Sequence, residues 1–289
     1  MKDFASKTAV VTGGASGIGF ALAERFADAQ MNVVLADIEE SALDKAVQYF
    51  EARQTRVLGV VSNTMRRESI EELLERSIAE FGNVHVLCNN AGVVSGGDRV
   101  PVWEISDADW DWVMGVNFYG VLYGLQIFVP HMLAHGEAGH IVNTASVAAL
   151  MPGGGTYGVS KHGVLVLTEG LYRDLKDAGA AIGASVLCPG WVNTKIAEAE
   201  RNRPAELASA TNPDRAGLPI GDVLEKGKSP ADVAGVVFES IREERLYILP
   251  HAGWDEVVLG RVNAIVARGG PYELDMQALA AKRAQGADV

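Results

Sequence analysis

Two periods alternate along the chain. Short runs of consecutive apolar and β-branched residues are separated by longer stretches in which apolar residues recur every three or four positions, from Thr8 to about Leu249. The runs predict strands at 8–12, 32–37, 56–61, 84–89, 139–144, 182–187 and 246–249. The amphipathic stretches predict helices over 17–29, 40–53, 65–81, 107–134, 156–176 and 230–243. Asp107 is the expected N-cap of the fourth, and Ser229 followed by Pro230 opens the last. Strands apolar on both faces and separated by helices belong to a parallel sheet covered on both sides. Right-handed crossovers then predict a doubly wound α/β fold, a mainly parallel seven-stranded sheet with helices on both faces and ligands at the carboxyl ends of the strands.

Composition narrows the partners. With 48% hydrophobic residues over 289 positions the chain can bury a full core. A net charge of −12, with Lys and Arg scattered rather than striped, argues against nucleic acid or an anionic membrane as partner. The segment Met1 to Lys7 has no apolar stretch of signal-peptide length, so a cytoplasmic protein is expected. Val113 to Leu133 is the longest apolar region, but Gly115, Asn117, Gly120, Gly124, Gln126 and Pro130 within it indicate a buried or interface helix rather than a membrane span. Cys88 and Cys188 each lie in an apolar strand and are expected as reduced, buried thiols. No Cys/His cluster has metal-ligand spacing, so no metal is expected.

The chemistry is concentrated in a few positions. Tyr157 and Lys161 stand four apart in a predicted helix, on one face and one turn from each other. A phenol beside a cation is a tunable acid/base; moving a Tyr from about 10 to about 7 takes roughly 4 kcal/mol of differential stabilisation. Ser146 ends a preceding strand. Asn117 interrupts an otherwise apolar helix and needs a polar partner, bound water being one. Between the first strand and helix, Thr12-Gly13-Gly14-Ala15-Ser16-Gly17-Ile18-Gly19 has the context of a dinucleotide fingerprint, in which glycines let backbone approach a pyrophosphate at a helix N-terminus. Asp37 ends the second strand, where a carboxylate accepts ribose hydroxyls and repels a 2′-phosphate, favouring NAD over NADP. Asn63 follows the third strand, placed either to accept from the adenine amine or simply to make a turn.

On these motifs the chain resembles the short-chain dehydrogenase/reductase family, in its NAD-preferring Thr-Gly-x3-Gly-x-Gly type, over about Thr8 to Leu249. The resemblance rests on Gly13, Gly17 and Gly19, Asn89-Asn90-Ala91-Gly92, Asn117, Ser146, Tyr157-x3-Lys161, and Pro189-Gly190 with Thr194. It implies a Rossmann-type fold and NAD as cofactor. The implied catalytic set has Tyr157 as general acid/base and Lys161 lowering its pKa and bonding the nicotinamide ribose. Ser146 positions the substrate oxygen, and Asn117 holds a water that links Lys161 to solvent. The implied cofactor contacts at the glycine turn and second strand are Gly13, Ser16, Gly17, Ile18, Gly19 and Asp37. Further along they are Asn63, Thr64, Asn90, Ala91 and Gly92, then Tyr157 and Lys161, and finally Pro189, Gly190, Val192 and Thr194. Two departures stand out: Asn63 replaces the more usual Asp, and the loop from Ser146 to Tyr157 is short.

The expected organisation is a single dinucleotide-binding catalytic domain over 1–250, with 191–228 inserted as a substrate-binding lobe where Pro204, Pro213 and Pro219 break the periodicity. A C-terminal helical extension is expected over 251–289. The expected activity is NAD-dependent interconversion of a small-molecule secondary alcohol and ketone. Rival readings are a non-catalytic NAD sensor or scaffold and a redox-neutral epimerase or lyase. Arg201-Asn202-Arg203-Pro204 and Leu246 to Pro250 are similar to segments of bacterial dehydrogenases that oxidise the benzylic alcohol of lignin-derived aryl ethers. The resemblance also implies a homodimer or homotetramer, with Val121, Leu125, Val164 and Leu171 expected to face outward. Five histidines (85, 131, 135, 140 and 251) are assigned no role, and His162 is expected at the surface or an interface. Trp103, Trp191 and Trp254 are expected to flank the cleft.

Overall fold

In a computed structural model that describes residues 1–96, 100–153, 155–208, 221–273 and 275, the apolar runs form one seven-stranded sheet. Its strands are β1 (Thr8–Thr12), β2 (Asn32–Asp37), β3 (Val57–Val61), β4 (Val86–Asn89), β5 (Gly139–Thr144), β6 (Ile182–Leu187) and β7 (Tyr247–Ile248). The order is β3-β2-β1-β4-β5-β6-β7 and every pairing is parallel, with Thr8 opposite Asn32 and Val86 opposite His140. All seven strands therefore end at one edge, and the direction of winding reverses between β1 and β4. Pro213 and Pro219 of the expected lobe, and 276–289 of the expected extension, lie outside the described residues.

Alternation along the strands feeds two cores. On one face Ala9 and Val11 of β1 pack with Leu22 and Phe26 of α1 (Gly17–Asp28), Phe50 of α2 (Glu40–Ala52), and residues of the later helix Pro230–Glu243. On the other, Val10 packs with Leu73 of α3 (Arg67–Phe81) and with two long helices between β4 and β6. The first is interrupted: α4 (Asp107–Met114) passes through a π-helical turn, Gly115–Tyr119, into α5 (Gly120–His135). The second is α6 (Thr156–Asp177); α7 (Gly221–Glu225), α8 (Pro230–Glu243) and α9 (Asp255–Val266) complete the described helices.

Several boundaries differ from the sequence reading for identifiable reasons. The cap of α4 is Ser106, not Asp107: its hydroxyl accepts from Asp109 N (3.2 Å) and donates to the Asp109 carboxylate (2.7 Å). Ser229 caps α8 in the same manner, with Pro230 in its first turn. The stretch 107–135 is long and apolar enough to span a membrane by length and composition, yet more than half of its most apolar part is buried inside the fold. Strand β4 starts two residues later than expected because α5 takes the Val84 backbone: Val84 N donates to His131 Nε2 (3.1 Å) and His135 Nε2 donates to Val84 O (2.9 Å). Val121, Leu125 and Val164 do not face outward; they are buried against the sheet, Leu171 is half-buried against the same core, and the exposed large apolar residues of this region are Tyr119, Leu133, Val159 and Val166. Trp103 stands in solvent, 81% exposed, away from the cleft. Both cysteines are free and buried, and among the described residues no group of His, Cys, Asp and Glu has a metal-binding arrangement.

Histidines 85, 131, 135 and 140 have structural roles at the edge of the sheet opposite the strand ends. His85 Nδ1 accepts from Thr8 N (3.1 Å), and His140 is fully buried with Nε2 on Ser185 Oγ (2.7 Å). Ser185 Oγ itself donates to Arg245 O (2.6 Å), so His140 Nε2 carries the proton and Nδ1 is left bare against Gly183. Burial, with the N-terminal ammonium adding to it, pushes His140 down to about 3; burial also lowers His85 and His131. These values lie below the unfolded ones, so on acidification the unfolded chain takes up the extra protons. Stability is intact above about pH 6.5 and is lost as pH falls toward 3. Urea unfolding should therefore show His140 alone costing up to about 2 kcal/mol between pH 6.5 and pH 5, and His140→Gln should flatten that slope.

Candidate active site

At the strand ends, where winding reverses, the β1–α1 and post-β4 turns are sewn together by Thr12. Its Oγ1 accepts from Asn90 N (2.9 Å) and Ala91 N (3.1 Å), while Asn90 Nδ2 donates to Thr12 O (3.1 Å). Gly13 and Gly17 adopt φ of +63° and +54°, which side chains resist. A Cβ on Gly19 would lie 2.1 Å from Gly13 O, so the turn closes only with glycine there. Ser16 precedes α1 without a capping bond from its side chain, and the first turn carries no acidic residue. The first N–H groups of α1 thus face the cleft with the helix dipole behind them, a cradle suited to a pyrophosphate.

A cleft of about 410 Å³ runs from this cradle across the sheet edge. Gly13, Ser16, Gly17, Ile18 and Asp37 line it, as do Asn63, Thr64, Asn90, Ala91 and Gly92 and, from the loop after β6, Pro189, Gly190, Val192 and Thr194. Gly19 is behind the wall as a packing residue. The Asp37 carboxylate is fixed by Ala15 N (3.0 Å) and Glu39 N (3.1 Å), and burial raises its pKa despite those bonds. Asn63 makes a turn: its Oδ1 accepts from Met65 N (3.0 Å).

Ser146, Tyr157 and Lys161 line the same cleft from the end of β5 and the first two turns of α6. Ser146 Oγ accepts from Ala148 N (3.1 Å) and donates to Pro189 O (3.4 Å). Lys161 is 2% exposed, its Nζ 5.6 Å from the Tyr157 ring centre and donating to Thr144 O (3.0 Å). Burial pushes its pKa down to about 8. A Cβ on Gly92 would come within 3.2 Å of Nζ, so the glycine leaves the ammonium its space. Asn117 does not reach the cleft surface: in the π-turn its amide pairs with Val93 N (2.8 Å) and Val93 O (3.0 Å) and donates to Ser160 Oγ (3.1 Å), which donates to Tyr157 O (2.8 Å).

The described residues include participants that the sequence reading passed over. His251 Nδ1 accepts from Gly190 N (3.1 Å) and its Nε2 donates to Trp191 O (3.0 Å), fixing the loop after β6. Trp191 and Trp254, which were expected to flank the cleft, form an edge-on pair in its wall. Arg201 and Asn202, flagged only by resemblance, reach Glu39 beside Asp37 rather than the substrate end. The signal for His251 was its place just after the last strand, where a chain returning to the sheet edge meets the cleft.

A family model described as short chain dehydrogenase matches residues 7–205. The chain belongs to the short-chain dehydrogenase family. A solved member from Burkholderia phymatum, crystallised in complex with NAD, is 43% identical, with a TM-score of 0.90 over 95% of this chain and 99% of that one. A C alpha-dehydrogenase of Sphingobium sp. (strain NBRC 103272 / SYK-6) is 34% identical over 95% of this chain and 90% of the relative. A CLA biosynthesis dehydrogenase/reductase of Lactiplantibacillus plantarum is 33% identical over 94% and 97%. In this family member the cradle, the Asp37 carboxylate and the buried Lys161 form a donor and acceptor set that fits a dinucleotide.

The tail's grip on the cleft is testable at Gly190, where a Cβ would lie 2.6 Å from Trp254 Nε1 and 3.2 Å from His251. Gly190→Ala should force the 251–254 segment off the loop, lowering stability by about 1–3 kcal/mol in chemical denaturation and weakening NADH binding in a fluorescence titration.

Proposed function

We propose that this oxidoreductase interconverts a secondary alcohol and a ketone with NAD as cofactor, the chemistry falling to Ser146, Tyr157 and Lys161. The observation that carries the reading is that these three side chains line one cleft with the glycine cradle and Asp37. Bound NAD supplies the hydride acceptor. Ser146, its hydroxyl oriented by Ala148 N, holds the substrate oxygen; Tyr157 takes the hydroxyl proton on oxidation and returns it on reduction. Lys161, confined beside the phenol, favours the ionised form of Tyr157 and offers N–H groups to the nicotinamide ribose. Asn117, through Ser160 and the Tyr157 carbonyl, holds the first turn of α6 in place and so acts as a positioning residue for Tyr157. Asp37 presents acceptors to the adenosine ribose and repels a 2′-phosphate.

The substrate is an uncharged aryl alcohol. Trp191, Trp254, Val147 and Met151 surround the far end of the cleft, an apolar and aromatic enclosure suited to a ring. The C alpha-dehydrogenase relative supports the benzylic version of this reading. Residues 1–250 act as one catalytic domain, in the cytoplasm, with His251 and Trp254 of the following segment completing its cleft wall, and exposed Tyr119, Val159 and Val166 offer apolar faces for a homodimer or homotetramer.

Tyr157→Phe should lower kcat for NADH formation from aryl secondary alcohols by at least about a thousandfold while leaving the NADH dissociation constant within about threefold. The measurement is absorbance at the nicotinamide band over a panel of alcohols, beside fluorescence titration of NADH. Wild-type protein that binds NADH but turns over no alcohol in the panel would support the sensor reading, and product formed without net NADH would support an epimerase or lyase.

A further inference from the structure

Glu39 lies two residues beyond Asp37, in the turn leading to α2. Its Oε1 accepts from Arg201 Nη2 at 2.6 Å and from Asn202 Nδ2 at 2.9 Å, across 162 and 163 residues of chain. Those bonds, Arg201 first, hold the Glu39 carboxyl below the usual carboxylate range. Arg201 and Asn202 end the 3-10 segment Lys195–Asn202, and Thr194, Lys195, Ile196 and Ala199 along it line the cleft. The segment is a roof, and Glu39 fastens its edge where Asp37 marks the adenosine end.

One residue on, the roof is fixed differently. Arg203 Nη2 meets Asp109 Oδ1 at 2.6 Å, and its guanidinium lies 4.2 Å above the Trp112 ring. The Arg203 and Asp109 side chains are 7% and 0% exposed, whereas Arg201 and Glu39 are 34% and 30% exposed. Breaking a buried ion pair strands a charge in a poorly solvated place, while an exposed pair reopens into water and is screened by salt. The two fastenings therefore differ in how readily they open.

We propose that Glu39 is a positioning residue that clasps Arg201 and Asn202 so that the roof stays shut over the adenosine end of the dinucleotide, and that opening this clasp, with Arg203–Asp109 as the fixed side, sets the rate of cofactor release. The proposal rests on the cleft being the dinucleotide site and is independent of which alcohol is oxidised. An NAD(H) molecule lying between the cradle and the roof cannot leave at the adenosine end until the roof moves, so each turnover meets this clasp.

The test is stopped-flow displacement of NADH from the holoprotein by excess NAD, read by nicotinamide fluorescence. Glu39→Ala should raise the NADH off-rate about three- to tenfold, Arg201→Ala should raise it less because Asn202 still holds Glu39, and the double variant should match Glu39→Ala. Raising salt from about 0.05 to about 0.5 M should speed release from wild type toward the Glu39→Ala rate and leave that variant nearly unchanged. Off-rates within twofold of wild type in both single variants, or effects that multiply in the double variant, overturn the clasp. Unaltered thermal midpoints of the cofactor-free variants separate a clasp from a general loss of fold. If wild type binds no NADH, the dinucleotide reading itself falls; if NADH binds and leaves as described but no alcohol reacts, the clasp stands and the alcohol reading falls.

Discussion

The reversal of winding between β1 and β4 is the constraint from which the site follows. Both strands are parallel and adjacent, but their crossovers run to opposite sides of the sheet, so no connection covers the gap at their carboxyl ends. That gap would be a seam of unsatisfied backbone without Thr12, whose single hydroxyl accepts two N–H groups from the turn after β4. A crevice held open by the topology and tied across its floor by one side chain gives the glycine turn something rigid to stand on. Cradle, carboxylate and catalytic side chains are all referred to the same floor.

Lys161 shows what the fold contributes beyond placing residues. As a spacing argument it is a fixed cation one turn from a phenol. In the structure it is fully enclosed, accepted by one backbone carbonyl, and burial brings its pKa down to about 8. A buried ammonium with so few acceptors is costly, and an anionic phenol or ribose hydroxyls are the groups that offset the cost. In the proposed reaction the burial of the lysine and the acidity of the phenol are coupled, because an anion beside Nζ relieves the desolvated ammonium and the low-dielectric enclosure strengthens that attraction.

What was legible in the sequence was whatever depends on local period or on a single backbone demand. The seven strands, the helix starts at Gly17 and Pro230, and the glycines at positive φ all express such demands. The illegible part was decided between distant elements. Nothing local announces that Val84 surrenders its N–H and C=O to His131 and His135, which shortens β4. The period of α5 and α6 identifies an apolar face but not which layer covers it, and Val121, Leu125 and Val164 prove to be the inward set. Asn117 was recognisable as an anomaly in an apolar helix; that the anomaly is a π-turn feeding Val93 and Ser160 is a property of the packed pair of helices.

The chain after β7 shows why the site extends past the motifs. β7 is only two residues long and is an edge strand, a weak place to end a sheet. The following turn carries His251 back over the end of β6, where one imidazole accepts from Gly190 and donates to Trp191, and Trp254 packs against the same glycine. Gly190 sits beside Pro189, whose carbonyl accepts from Ser146. A residue of the tail is therefore two contacts away from Ser146, the residue proposed to hold the substrate oxygen, and the Trp254 indole in the cleft wall is packed against the same loop. Changing that aromatic wall to admit another substrate would also disturb the loop that holds Ser146, so substrate fit and loop stability in this chain are coupled through Gly190.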